Sequence, residues 1–247
     1  MVLANSCNPI LFGMGFLTRD PNSFECQIEG EWKPCTKEYI CENGVDRESY
    51  RPIKDDEYID NWTSPDKFNT LCEPKWKIGL LGSMYFAGCV CTVLIVPVLA
   101  DKYWGRKPTL AVNIVATILG LFGLLICTTL YEAYVFIFIL GMSFPGRVFL
   151  ALTYSIEFMP VNYHYSVPNI YLFSEPVFLI LLTFWYQFID HSWFLVQILM
   201  FILTLIISVY YFGYVPESPK WLYTFKNFNQ SREVLKQVAT FNFVDNS

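Results

Sequence analysis

The chain has 247 residues, of which 54% are hydrophobic, 18% aromatic and only 16% charged, with a mean hydropathy of +0.36. Soluble domains carry about 25% charged residues, so this composition excludes a disordered chain and an ordinary soluble domain. The formal charge of −5 comes without a basic patch, which argues against a nucleic-acid partner.

Crossing ~30 Å of hydrocarbon at ~1.5 Å per residue takes about 20 mostly apolar residues. In chain order, residues 1–17 are a short apolar stretch interrupted by Asn5, Asn8 and Pro9. They lack the basic start and small-residue cleavage site of a signal peptide, and read as the remnant of a first transmembrane helix whose beginning is missing. Residues 18–76 differ in composition: they are polar and hold fourteen of the twenty-two Asp and Glu residues. Cys26, Cys35, Cys41 and Cys72 fall here, an even count that predicts two disulfides, with three connectivities open, on an oxidising side of the membrane. No C-x-x-C spacing and no nearby histidine accompanies them, which disfavours zinc. Asn61-Trp62-Thr63 is a glycosylation sequon in the same loop, in agreement with an outside location.

Five membrane-sized apolar stretches follow within 77–215, at about 77–100, 108–130, 133–158, 167–189 and 192–215. The tail, 216–247, is polar and aromatic, and residues 231–238 read as a short amphipathic helix at the membrane surface or on the bundle. Lys102, Arg106 and Lys107 follow the first full span, and Lys220, Lys226, Arg232 and Lys236 follow the last, whereas the opposite connections hold only Glu132 and Asp190-His191. Short basic connections face the cytoplasm, so the C-terminus is expected inside and the cysteine loop outside.

Charge within hydrocarbon costs a few kcal/mol and persists where it has a partner or a task. Arg147 and Glu175 lie about ten and seven residues from the cytoplasmic ends of their spans, a mismatch of roughly 5 Å that an arginine can bridge. An Arg147–Glu175 ion pair is therefore expected; separate exposure of each side chain to a water-filled cavity is the alternative. Pro176 interrupts the same helix. Tyr154, Tyr171, Trp185, Tyr186 and Gln187 are candidates to line a cavity for an aromatic or cationic solute.

Three ordered segments carry a family resemblance: L-A-D-K-Y-W-G-R-K-P from Leu99, Y-S-I-E-F-M-P from Tyr154 and P-E-S-P-K-W-L from Pro216. They resemble the D-R-x-G-R-[RK] loop, the helix-four Y-x-x-E-x-x-P and the post-helix-six P-E-S-P-R-W-L of the major facilitator superfamily. The last motif and the long cysteine loop point to its organic cation and anion transporter branch. The resemblance implies a cytoplasmic gating cluster of Asp101, Arg106, Lys107, Glu157, Glu217 and Lys220, and solute-pathway or coupling roles for Arg147, Glu175, Tyr154 and Tyr171. The chain departs from the pattern at several places. One extra residue stands between Asp101 and Gly105, Pro97 replaces a glycine, His164 replaces an arginine, and Lys102 and Lys220 replace arginines.

The expected fold is an all-α membrane protein: the N-terminal six-helix half of a major facilitator fold with a truncated first helix. The expected function is alternating-access transport of a small organic solute of the organic ion class, in the plasma membrane. Its partners would be the lipid bilayer, that solute, and a missing C-terminal half or another membrane subunit. A non-transporting scaffold subunit and an incomplete gene product without independent activity are the alternatives. No phosphate loop, nucleophile elbow or H-E-x-x-H occurs and both histidines are isolated, so no enzyme activity, cofactor or metal is expected.

Overall fold

The computed structural model describes residues 7, 10, 13–18, 20–21, 23–28, 30–53, 60–62, 67–68 and 70–241. The proposed remnant of a first helix, 1–17, falls largely outside them; its described part includes the single turn α1, Met14–Leu17. Cys7, Ile10 and Leu17 are buried against the bundle.

The cysteine-bearing segment folds as a small domain of its own. Strands β1 (Phe24–Ile28), β2 (Glu31–Cys35) and β3 (Tyr50–Pro52) form an antiparallel sheet in the order β2-β1-β3, with Cys26 opposite Lys33 and Phe24 opposite Cys35. Helix α2 (Lys37–Glu42) is capped by the Thr36 side chain. Phe24, Cys26, Ile40, Tyr50 and Leu71 make its core. So small a core is stabilised covalently: Cys26 pairs with Cys35 and Cys41 with Cys72, which settles the connectivity that cysteine spacing leaves open. Asn61 is buried, at 2% exposure.

Among the described residues, five helices are long and apolar enough to span a membrane: α3 (Lys75–Tyr103), α4 (Arg106–Ile126), α5 (Leu130–Glu157), α6 (Ser166–Phe188) and α7 (Trp193–Tyr214). Two short helices follow, α8 (Pro219–Thr224) and α9 (Phe228–Phe241). Helix α4 lies at the centre, with half of its apolar stretch buried, whereas α6 is almost wholly uncovered. The breaks follow local chemistry. Thr129 and Glu132 form a reciprocal capping box that starts α5; Ser218 caps α8, with Pro219 in its first turn.

Helices α3, α4 and α5 meet through glycines, as expected where lipid supplies no hydrophobic drive between helices. A Cβ at Gly141 would stand 1.9 Å from the Tyr85 carbonyl oxygen, and one at Gly88 2.2 Å from that of Phe138. The Thr92 hydroxyl donates across the same crossing to the Met142 carbonyl at 2.9 Å.

Lys67 ties the disulfide domain to the helices. Its ammonium donates to the carbonyls of Leu124 (3.0 Å), Leu125 (3.2 Å) and Cys127 (2.7 Å), all at the C-terminal end of α4, and lies 4.8 Å from the Trp193 ring centroid. Those carbonyls have no partner within the helix, and the negative end of the dipole favours a cation there. Lys67→Met is expected to destabilise the protein by about 1–3 kcal/mol, read as a lower unfolding midpoint in detergent; an unchanged midpoint would show that water replaces the cap. Burial lowers the Lys67 pKa from its ordinary 10.5. The unfolded chain therefore binds this proton more tightly, and the Lys67 contribution to stability rises with pH from the lowered value up to 10.5.

Candidate functional site

The signature loop joins α3 to α4, and the structure explains how it absorbs its additional residue. Residues Leu99–Tyr103 close as a π turn, in which Trp104 N–H bonds to the Leu99 carbonyl five residues back at 2.8 Å. A π turn holds one residue more per hydrogen bond than an α turn. The insertion is thus accommodated in the helix end, and Asp101 still reaches Arg106. Pro97, two residues before the π turn, removes a backbone donor from the same stretch.

Arg106, in the first turn of α4, is the hub of a polar cluster. Its Nη1 donates to the Ala100 carbonyl at 2.8 Å and to the Asp101 carboxylate. Its Nη2 meets Glu157 Oε1 at 3.0 Å, and Nε contacts both Glu157 oxygens at 3.3 Å. The Arg106 and Glu157 side chains are 12% and 7% exposed, whereas Asp101 is 62% exposed. The buried partner is therefore Glu157, at the last turn of α5.

Glu217 takes a different part from the acid–base pairing that the sequence implies. Its Oε1 accepts from the backbone N–H groups of Arg106 (2.9 Å), Lys107 (3.1 Å) and Ser218 (2.9 Å). The carboxylate caps the N-terminus of α4, where donors lack intrahelical partners and the dipole is positive. Gly105 makes this possible: its φ is +94°, and a Cβ there would stand 2.7 Å from Glu217 Oε2. Lys107 contributes its backbone, its carbonyl accepting from Tyr211 Oη at 2.8 Å. Lys220 is exposed, and neither lysine side chain forms an ion pair among the described residues.

Tyr154 also moves from its expected place. One turn before Glu157, it is buried and donates to the Pro216 carbonyl, joining α5 to the segment after α7 at the membrane edge. The i, i+3 spacing to Glu157 is the sequence signal for this. Trp221 Nε1 donates to the Asp101 carbonyl at 3.1 Å. Trp221 belongs to the P-E-S-P-K-W-L segment, but its contact with a backbone oxygen 120 residues away is not legible there, and Tyr211 is marked by no sequence pattern.

Arg147 lies deeper, 1% exposed, in a second π turn, Gly146–Leu150, that follows Pro145. Its Nη2 donates to Tyr85 Oη at 3.1 Å and its Nε to Ser143 Oγ at 3.2 Å. Tyr171 Oη bonds the Arg147 and Val148 carbonyls at 3.2 Å each, satisfying oxygens displaced by the π geometry. No ion pair joins Arg147 to Glu175 among the described residues. Tyr85 and Ser143 reach the guanidinium from α3 and from the preceding turn of α5. Trp185 is half-buried, Tyr186 buried and Gln187 exposed, so these three do not share one lining face.

Residues 39–246 match the family Sugar (and other) transporter. The chain is 26% identical over 183 residues to solute carrier family 22 member 4 of Mus musculus, covering 72% of this chain and 32% of that protein. It is 28% identical over 180 residues to solute carrier family 22 member 1 of Bos taurus and 27% over 179 to organic cation/carnitine transporter 2 of Homo sapiens, covering 71% of this chain and 31% of each relative. The chain thus spans about a third of the length of these curated relatives. By its family match and its helices, the chain belongs to the sugar (and other) transporter family of the major facilitator superfamily, in the organic cation transporter-like branch.

Proposed function

We propose that this chain supplies one half of an alternating-access transporter for a small organic solute of the organic ion class. Asp101, Arg106, Glu157 and Glu217 would form its cytoplasmic latch. The carrying observation is that Arg106 and the α4 N-terminus gather the end of α3, the end of α5 and the α7–α8 link into one polar cluster. Rocking of one half against the other requires each half to move as a body, and this cluster locks four chain segments together at one end. The relatives are named as solute carriers, one for organic cations and carnitine, which favours a cationic or zwitterionic solute. Arg147 and Glu175 remain the candidates for pathway or coupling roles, with Tyr171 holding the π turn that bears Arg147.

The latch end faces the cytoplasm in this reading and the disulfide domain faces outside, in a protein of the plasma membrane. Lys220→Cys, at an exposed position, is expected to react with an impermeant maleimide only after permeabilisation; labelling of intact cells would reverse the orientation. The function is tested by uptake of labelled organic cations, anions and carnitine-like zwitterions into cells making the complete transcript product. Saturable uptake above untransfected cells is expected. No uptake of any class despite surface delivery would favour a scaffold subunit.

A further inference from the structure

A cavity of ≈ 450 Å³ opens between the ends of α5 and α7 and the last turns of α9, with Phe158, Tyr210, Gly213 and Tyr214 on the bundle side and Val238 and Phe241 opposite. Its volume falls within the roughly 300–1,000 Å³ of small-molecule sites. Both bundle helices end here after crossing the membrane, so the cavity stands at the level where hydrocarbon gives way to headgroups. Aromatic rings dominate its walls, and no Asp, Glu, Lys or Arg side chain lines it. A phosphate or ammonium group in the slot would lose its hydration without gaining a counter-charge. The occupant is therefore uncharged where it fills the slot, and the Gln237 amide is the polar group that the α9 wall offers it.

The bundle wall narrows the choice further. Tyr210 and Tyr214, one helical turn apart, lie with ring centroids 5.3 Å apart and planes tilted by only 31°. Gly213 beside them presents no side chain, and a Cβ placed there meets nothing within 4 Å. From this smooth face an apolar strip runs along α7 into the membrane through Val209, Ile206 and Ile202, all exposed. A rigid, flat, apolar molecule with one hydroxyl fits each of these features, whereas a flexible acyl chain needs no flat wall and brings a charged headgroup. In the sequence, Val209, Tyr214 and Lys220 fall at the spacing of the Leu/Val, Tyr, Lys/Arg pattern proposed for sterol contact. That pattern carries little by itself; here its central tyrosine is a wall of the cavity.

We propose that this cavity is a sterol site, the ring system lying between α7 and α9, the hydroxyl at the Gln237 amide and the tail along Ile206. Val215 and Pro216 also line it. The Pro216 carbonyl accepts from Tyr154, and the next residue, Glu217, caps α4. An occupied slot would hold this segment against α9, so that the sterol content of the membrane bears on the latch.

The test uses the full chain in phosphatidylcholine nanodiscs containing a cholestanol with a diazirine on its ring system, with crosslinks mapped by mass spectrometry. Saturable labelling of Tyr210, Tyr214 and Val238 is expected, displaced by excess cholesterol and less well by its epimer at the hydroxyl. Gly213→Trp from the bundle side and Val238→Phe from α9 should each abolish this labelling while the unfolding midpoint is kept. Gln237→Leu should weaken it about fivefold, the effect of one hydrogen bond. Phosphatidylcholine with a diazirine in its acyl chain should label the lipid-facing helices without preference for the slot. Labelling that does not saturate, labelling that survives either filling variant, or equal labelling of the slot by the acyl-chain diazirine would each overturn the site. The experiment reads binding alone, so these outcomes are independent of orientation and of transport.

Discussion

Arg106→Met is expected to destabilise the protein by about 3–5 kcal/mol, because it leaves the Glu157 carboxylate nearly buried without its cation. Glu157→Met should cost less, since Arg106 keeps Asp101 and the Ala100 carbonyl as partners. The double variant is expected to recover much of the loss, as replacing a buried pair with apolar groups is often neutral. Unfolding of the four proteins in a detergent series, read by tryptophan fluorescence, closes the cycle. A coupling energy near zero would show that the pair is screened by solvent and would remove the physical basis for a latch. If the stability of the double variant returns but uptake does not, the cluster serves conformational exchange beyond holding the fold together. Equal recovery of both would reduce the cluster to a structural staple.

The sequence carried a large share of this arrangement. Five spans are legible because their apolar runs match membrane thickness, and the observed α3–α7 overlap all five expected stretches. Their ends were less legible: α3 runs to Tyr103 because the π turn continues the helix past Pro97, and no propensity announces a π turn. Asp101, Arg106, Glu157 and Glu217 could be gathered from motifs, since charge at a membrane edge stands out in an apolar chain. Their geometry could not. That Glu217 binds backbone N–H groups while Lys107 and Lys220 stay outside depends on the φ of Gly105 and on where α8 begins. The expected Arg147–Glu175 pair failed because depth along a helix says nothing of which face a residue occupies. Tyr85, sixty-two residues from Arg147, occupies the position instead. The strands of the disulfide domain were also hidden, being short segments held by the Cys26–Cys35 crosslink between β1 and β2 and by a core of five residues.

Gly141→Ala is the second substitution with a large expected effect. The added methyl would lie 1.9 Å from the Tyr85 backbone oxygen, and a carbonyl within a helix cannot turn aside as a side chain can. Helices α3 and α5 must separate, stretching the Thr92–Met142 hydrogen bond and drawing Tyr85 away from Arg147. Overpacking of this kind costs about 1–3 kcal/mol before lost hydrogen bonds are added, so a total of about 3–5 kcal/mol is expected. Gly88→Ala, on the facing helix, should behave likewise, since its methyl meets the Phe138 oxygen at 2.2 Å. The internal controls are Gly79→Ala and Gly82→Ala, in the same helix α3 but with nothing within 4 Å of the new methyl. These should be neutral or stabilising by about 0.5–1 kcal/mol, the helix-interior advantage of alanine over glycine. Unfolding midpoints of the four variants separate backbone contact from propensity: both effects act at Gly141 and Gly88, but only propensity acts at Gly79 and Gly82. If Gly141→Ala were as stable as Gly82→Ala, α3 and α5 would not cross at backbone contact, and the Tyr85–Arg147 hydrogen bond, which depends on that crossing, would fall with it.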